Sequence, residues 1–69
     1  MPNYEAVSSS NVEAIAYEGN DLYVKFLNGS EYKYFSVPLE TFEALQSAPS
    51  VGKFLNSDIK PNFSVERIA

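Results

Sequence analysis

Cysteine, histidine and tryptophan are all absent from this chain of 69 residues. Without cysteine there can be no disulfide staple and no thiolate nucleophile, and the loss of histidine as well removes the usual zinc ligands. The commonest general base is missing too, so an enzyme would have to be built from carboxylates, lysines and hydroxyls. Glu40 and Glu43 are the nearest thing to an acid/base pair, but one helical turn separates them, at a place where both suit a solvated helix start. Nothing assembles a nucleophile, a base and oxyanion donors, and there is no dense carboxylate loop for a hard cation. We expect no catalysis, no cofactor and no metal.

Long apolar runs are also missing, and the first ten residues, MPNYEAVSSS, have neither the basic nor the apolar region of a secretory leader. The expected location is therefore cytoplasmic, away from membrane. Asn28-Gly29-Ser30 and Asn62-Phe63-Ser64 match the glycosylation pattern, and the same reasoning makes both matches incidental. Positive charge is scarce as well: five basic against nine acidic side chains give a net charge of −4, which repels a phosphate backbone. The charges are scattered, and no linker, repeat or low-complexity segment divides the chain. Residues 1–69 thus read as a single domain close to the lower size limit for a self-sufficient core, whose stability must come from packing or from self-association.

Aromatic residues are well represented, and they give the most informative stretch, FLNGSEYKYF from Phe26 to Phe35. A two-residue turn at Asn28-Gly29 pairs Val24 with Lys33 and Phe26 with Glu31, so that the apolar face of one strand continues as charge on the next. A three-residue loop, Leu27-Asn28-Gly29, with glycine in the left-handed conformation pairs Phe26 with Ser30 instead. Leu22, Val24 and Phe26 then share a face with Tyr32 and Tyr34. On the reverse face Lys25 meets Glu31, and Lys33 meets the Tyr23 ring. A one-residue slip inverts every side chain, so coherence on both faces selects the three-residue loop and assigns Tyr32 and Tyr34 mainly to the core, with hydroxyls that need partners or water at its edge and one or both rings open to partial burial.

Val12 to Tyr17 reads as a preceding strand with Ile15 and Tyr17 aligned, joined through Glu18-Gly19-Asn20-Asp21. Pro38 opens a helix running to about Ser47, with Leu39, Phe42 and Leu45 on its apolar side. Ala48-Pro49 ends it. Ser50 caps a shorter helix in which Val51, Phe54, Leu55 and Ile59 follow helical spacing, until Lys60-Pro61 stops it. Phe63 and Val65 then alternate as in a last short strand. The predicted fold is α+β: a three-stranded antiparallel meander followed by two short helices on one sheet face, with a C-terminal strand as a possible addition.

The run Ser9-Ser10-Asn11-Val12, then Asn28-Gly29, Tyr32-Lys33-Tyr34, Val37-Pro38 and Ser50-x-Gly52-x-Phe54-x-Asn56-x-x-Ile59, resembles a KTSC domain over about Val7 to Ile68. That module is named for the C-terminus of some lysyl-tRNA synthetases and also stands alone in bacteria and phages. The resemblance implies no settled activity. RNA binding is the suggestion attached to the family, whose members carry further basic residues in the second helix and terminal segment; this chain has Lys53, Lys60 and Arg67 there, with Asp58 and Glu66 interspersed.

Two surfaces qualify as functional. Tyr23, Lys25, Lys33 and Phe35 make a reverse-face patch of aromatics interleaved with lysines, suited to a protein partner, a second copy of the chain, or stacked bases. Ser50, Gly52, Lys53, Lys60 and Arg67 form a candidate site for an anion, nucleotide or nucleic acid at the start of the second helix and the C-terminal end. The acidic balance favours protein contact. The function expected is a non-enzymatic interaction module, a regulatory or inhibitory protein of a bacterium or phage; the alternative is a nucleic-acid or nucleotide-binding domain.

Overall fold

The hairpin at Asn28-Gly29 sets the geometry of the whole sheet. In the computed structural model, which describes residues 3–69, the Phe26 N–H donates to the Ser30 carbonyl at 2.8 Å and the Gly29 N–H to the Phe26 carbonyl at 3.0 Å. This is the three-residue loop, closed by Gly29 at φ +93°. The Asn28 side-chain oxygen accepts from the Ser30 N–H at 2.9 Å, bracing the bend from its own side chain. The pairs Lys25–Glu31, Val24–Tyr32, Tyr23–Lys33 and Leu22–Tyr34 follow, as the pattern of both faces requires.

The strands are β1 (Glu5–Ala6), β2 (Val12–Glu18), β3 (Asp21–Phe26), β4 (Glu31–Tyr34) and β5 (Val65–Arg67), and the helices are α1 (Leu39–Ser47) and α2 (Val51–Phe54). All five strands form one antiparallel sheet in sequence order. The β2–β3 turn places Gly19 and Asn20 at φ +59° and +70°, the conformation of a two-residue hairpin whose twist matches its strands. Strand β1 is an addition to the predicted meander: two residues beside β2 carry no readable alternation. The C-terminal strand exists, but Phe63 lies outside it and Val65 is 48% exposed.

The helical layer departs from expectation in three places. Pro38 is the N-cap of α1 in extended conformation, rather than a residue of its first turn. Leu39 is 54% exposed, while Phe42 and Leu45 are buried; at the first helical position Leu39 precedes the stripe that faces the sheet. Ser50 caps α2 as expected, accepting from the Lys53 N–H at 3.3 Å. After Phe54, however, the helix widens into a π-type turn over Leu55–Ile59, with the Lys60 N–H donating to the Leu55 carbonyl at 2.9 Å. The wider turn swings the residues that follow by roughly 100° from where α-helical spacing puts them.

The core lies between the helices and one sheet face: Val12, Ile15, Leu22, Val24 and Tyr34 meet Val37, Phe42, Leu45, Val51, Leu55 and Ile59. Tyr17 links the layers by stacking on Phe42 at 5.0 Å and donating its hydroxyl to the Val37 carbonyl at 2.6 Å. No helix among the described residues is long and apolar enough to cross a membrane.

A β-carbon at Gly29 would meet nothing within 4 Å, so Gly29→Ala isolates the cost of the left-handed backbone. That cost is about 1–2 kcal/mol, and the urea midpoint is expected to fall accordingly with an unchanged m-value. A variant as stable as the parent would mean that the loop is not held in this conformation.

Candidate functional site

On the reverse face, the four aromatic and lysine residues fall together as expected. Tyr23 and Lys33 are cross-strand partners, Lys25 follows on β3, and Phe35 extends β4. The Lys33 ammonium sits 5.6 Å from the Tyr23 ring centre, 5.2 Å from that of Phe35 and 3.6 Å from an Asp21 carboxylate oxygen. Interaction with the Tyr23 side chain first, opposed by desolvation and reinforced by Asp21, holds this ammonium above the ordinary lysine range. Lys25 differs from expectation. Its cross-strand partner is Glu31, yet its closest carboxylate is Glu13 at 3.9 Å.

Glu31 is engaged elsewhere because Tyr4, ahead of β1, donates its hydroxyl to Glu31 Oε1 at 2.9 Å across the width of β2 and β3. Ala14 and Ala16 pair with Lys25 and Tyr23 on this same face and are 6% and 2% exposed. Two alternating alanines on a face that should be solvated are the only sign in the sequence of a cover there, and they do not point to Tyr4.

The proposed anion cluster does not assemble. Ser50 and Lys53 share a shallow depression with Ala48, Pro49, Phe54 and Ser57, and the Ser50 oxygen is already occupied by the Lys53 N–H. Gly52 is half-buried, with Ser9 Oγ 3.7 Å from the position of an added β-carbon. Lys60 and Arg67 lie elsewhere, beside Tyr32 and Tyr34. Arg67 is the cross-strand partner of Tyr32 and projects from the same face, with its Nε donating to the Ala69 oxygen at 3.0 Å. Separation along the chain and the π-type turn together explain why Lys53 and Lys60 part company.

A cavity of about 410 Å³ opens at this second place, where the core face of the sheet runs beyond the helices. It is lined by Phe26, Asn28, Ser30, Tyr32, Tyr34, Lys60 and Val65. The Tyr34 ring is only 2% exposed, and Tyr32 is half-buried against Phe26 in an edge-to-face contact at 5.5 Å. Burial first, and the neighbouring Tyr32 second, push the Tyr34 phenol above the ordinary tyrosine value, which keeps it protonated and able to donate at neutral pH. Tyr34 is a core residue and Tyr32 a half-buried one at the core's edge, and nothing in the local pattern foretells that both line one cavity with Lys60.

A five-stranded antiparallel sheet with one face under a helical layer makes this a small α+β domain. The chain belongs to the KTSC domain family, whose model matches residues 8–63. A crystal structure of a KTSC domain protein from Yersinia pestis superposes with a TM-score of 0.90 and 32% identity, covering 100% of both chains. A protein of Tsukamurella paurometabola is 39% identical over 61 residues, 86% of this chain and 91% of that one. A lysine–tRNA ligase of a Nostoc species is 39% identical over 62 residues, which are 87% of this chain and 11% of the ligase. Asn28, Tyr32 and Tyr34, three of the residues that carried the family resemblance, all line the cavity.

Burial, then the hydrogen bond to Glu31 and the charge on it, push the Tyr4 phenol from the ordinary 10.0 up to about 12. A raised phenol contributes stability that is whole below the unfolded-state value and lost as pH rises through the folded-state value. Near neutrality Tyr4→Phe should therefore cost about 1 kcal/mol, and the gap to the parent should close between pH 10 and about 12. Chemical denaturation across that range checks this; a gap independent of pH would show that the Tyr4 hydroxyl is not so engaged.

Proposed function

We propose that this domain is a non-enzymatic interaction module that recognises a protein surface through Tyr23, Lys25, Lys33 and Phe35. The observation that carries the reading is the Lys33 ammonium lying between the Tyr23 and Phe35 rings, with Asp21 at 3.6 Å. Both lysines of the patch have a carboxylate in reach, so the face offers aromatic area with balanced charge rather than the unneutralised cations a phosphate backbone needs. A surface bearing both signs complements another of the same kind, which makes a second copy of this chain the first partner to test. The occurrence of similar segments both within a much larger ligase and as most of a small protein supports a module that works by contact. The cysteine-free composition and the bacterial relatives support a setting in bacterial cytoplasm, or host cytoplasm for a phage-encoded copy.

A second reading, nucleic-acid binding, draws on the lysine–tRNA ligase among the relatives. Against it stand the net charge of −4 and the separation of Lys53 from Lys60 and Arg67.

Sedimentation velocity distinguishes the two. Contact through the sheet predicts a mass above 7.7 kDa that falls to the monomer value in Phe35→Glu. Nucleic-acid binding predicts affinity for an oligonucleotide that weakens with rising salt and with Lys53→Glu. A monomeric parent with salt-dependent oligonucleotide affinity would replace the first reading by the second.

A further inference from the structure

Of the five tyrosines, Tyr4 and Tyr17 donate their hydroxyls to Glu31 and Val37, and Tyr23 lies on the other sheet face, its ring centre 5.6 Å from the Lys33 ammonium. Tyr32 and Tyr34 are left, and among the described residues neither hydroxyl has a hydrogen-bond partner in the protein. Neither is a sealed, unsatisfied group, since no buried side-chain oxygen or nitrogen among the described residues is without a partner. Both tyrosines line the same cavity, and neither hydroxyl is sealed from solvent. A ring that is only 2% exposed holds the Tyr34 hydroxyl on a rigid support.

Three more donors line the same space. The Asn28 oxygen is occupied by the Ser30 N–H, which leaves the amide NH₂ of Asn28 to donate. Ser30 adds a hydroxyl. Lys60 adds an ammonium, with no carboxylate within ion-pair distance among the described residues. No carboxylate lines the cavity, although the chain carries nine. Other depressions of the surface contrast with it: one is lined by Glu40 and Asp58 and another by Glu5. A third contains Lys53, but its serine hydroxyls are already used by the backbone or by Asp58. The cavity is thus rich in donors, positive and poor in acceptors, which is the complement of an oxyanion. Phe26 and Val65 supply apolar walls, and about 410 Å³ is within the range of small-molecule sites.

We propose that the cavity between the β3–β4 hairpin and Lys60 binds a small organic oxyanion, a phosphate or carboxylate group carried on an apolar, ring-sized body. The Lys60 ammonium and the phenols of Tyr32 and Tyr34 hold the oxyanion, while Phe26 and Val65 take the ring. The site is on the sheet face opposite Phe35 and does not depend on protein contact there.

The test is a titration of the ¹⁵N-labelled full chain at low ionic strength with phenyl phosphate, benzoate and, as a cation of the same size, benzylamine. Expected are saturable amide shifts confined to residues 26–34, 60 and 65 with one or both anions, and none with benzylamine; the stronger of the two anions identifies the oxyanion. Lys60→Glu should weaken binding at least tenfold and Tyr34→Phe about tenfold, the size of a lost hydrogen bond to a charged group. Lys53→Glu and Phe35→Glu should leave it unchanged, so failure of the site is separable from failure of the sheet contact. Absence of shifts with both anions, equal binding of benzylamine, or undiminished binding in a folded Lys60→Glu variant would overturn the proposal. So would a single-stranded oligonucleotide that shifts these residues where neither small anion does.

Discussion

The bond from the Phe26 N–H to the Ser30 carbonyl is the constraint on which the rest of this structure depends. Side chains alternate across a strand, so the residue count of one turn decides the face of every residue on β3 and β4. Gly29 at φ +93° permits the three-residue loop at little steric cost. With that register, Leu22, Val24 and Tyr34 join the helices in the core, and Tyr23, Lys33 and Phe35 gather on the other side. Two surfaces of different character follow from one turn, charge-balanced and aromatic on one side, donor-rich around two phenols on the other.

The helical layer covers the core face only in part. Phe42 and Leu45 of α1 and Val51, Leu55 and Ile59 beyond it bury the middle of the sheet, and the hairpin end is left to Tyr32, Phe26 and β5. The widening of the helix after Phe54 matters here because it ends at Lys60, the residue that closes the cavity. Pro61 follows directly and supplies no N–H to continue an α-helical ladder. A helix ending one turn earlier or later would place a different side chain over the phenols. Core packing and the chemistry of the cavity wall are joined at this point.

Much of the fold was legible in the sequence, since the hairpin, the β2–β3 turn and the Ser50 cap rest on local rules of alternation, turn chemistry and capping. Strand β1 was not, because two residues give no period to detect. Leu39 was misplaced for a related reason: helical spacing fixes the relative phase of apolar residues but not which residue begins the contact. The reverse-face patch was readable because its members are neighbours on one hairpin. Lys60 beside Tyr32 and Tyr34 was not, since that juxtaposition depends on how far a helix turns before a proline. The crossing of Tyr4 to Glu31 was hidden in the same way, by the long-range closure of the sheet.

Cross-strand nuclear Overhauser effects in the hairpin test the central claim most directly. The account predicts contacts between residues 25 and 31, 23 and 33, and 22 and 34, the observed pairing. Contacts that instead join Val24 to Lys33 and Phe26 to Glu31 would belong to the two-residue turn, would turn both phenols away from the core, and would contradict the division of the sheet into its two faces.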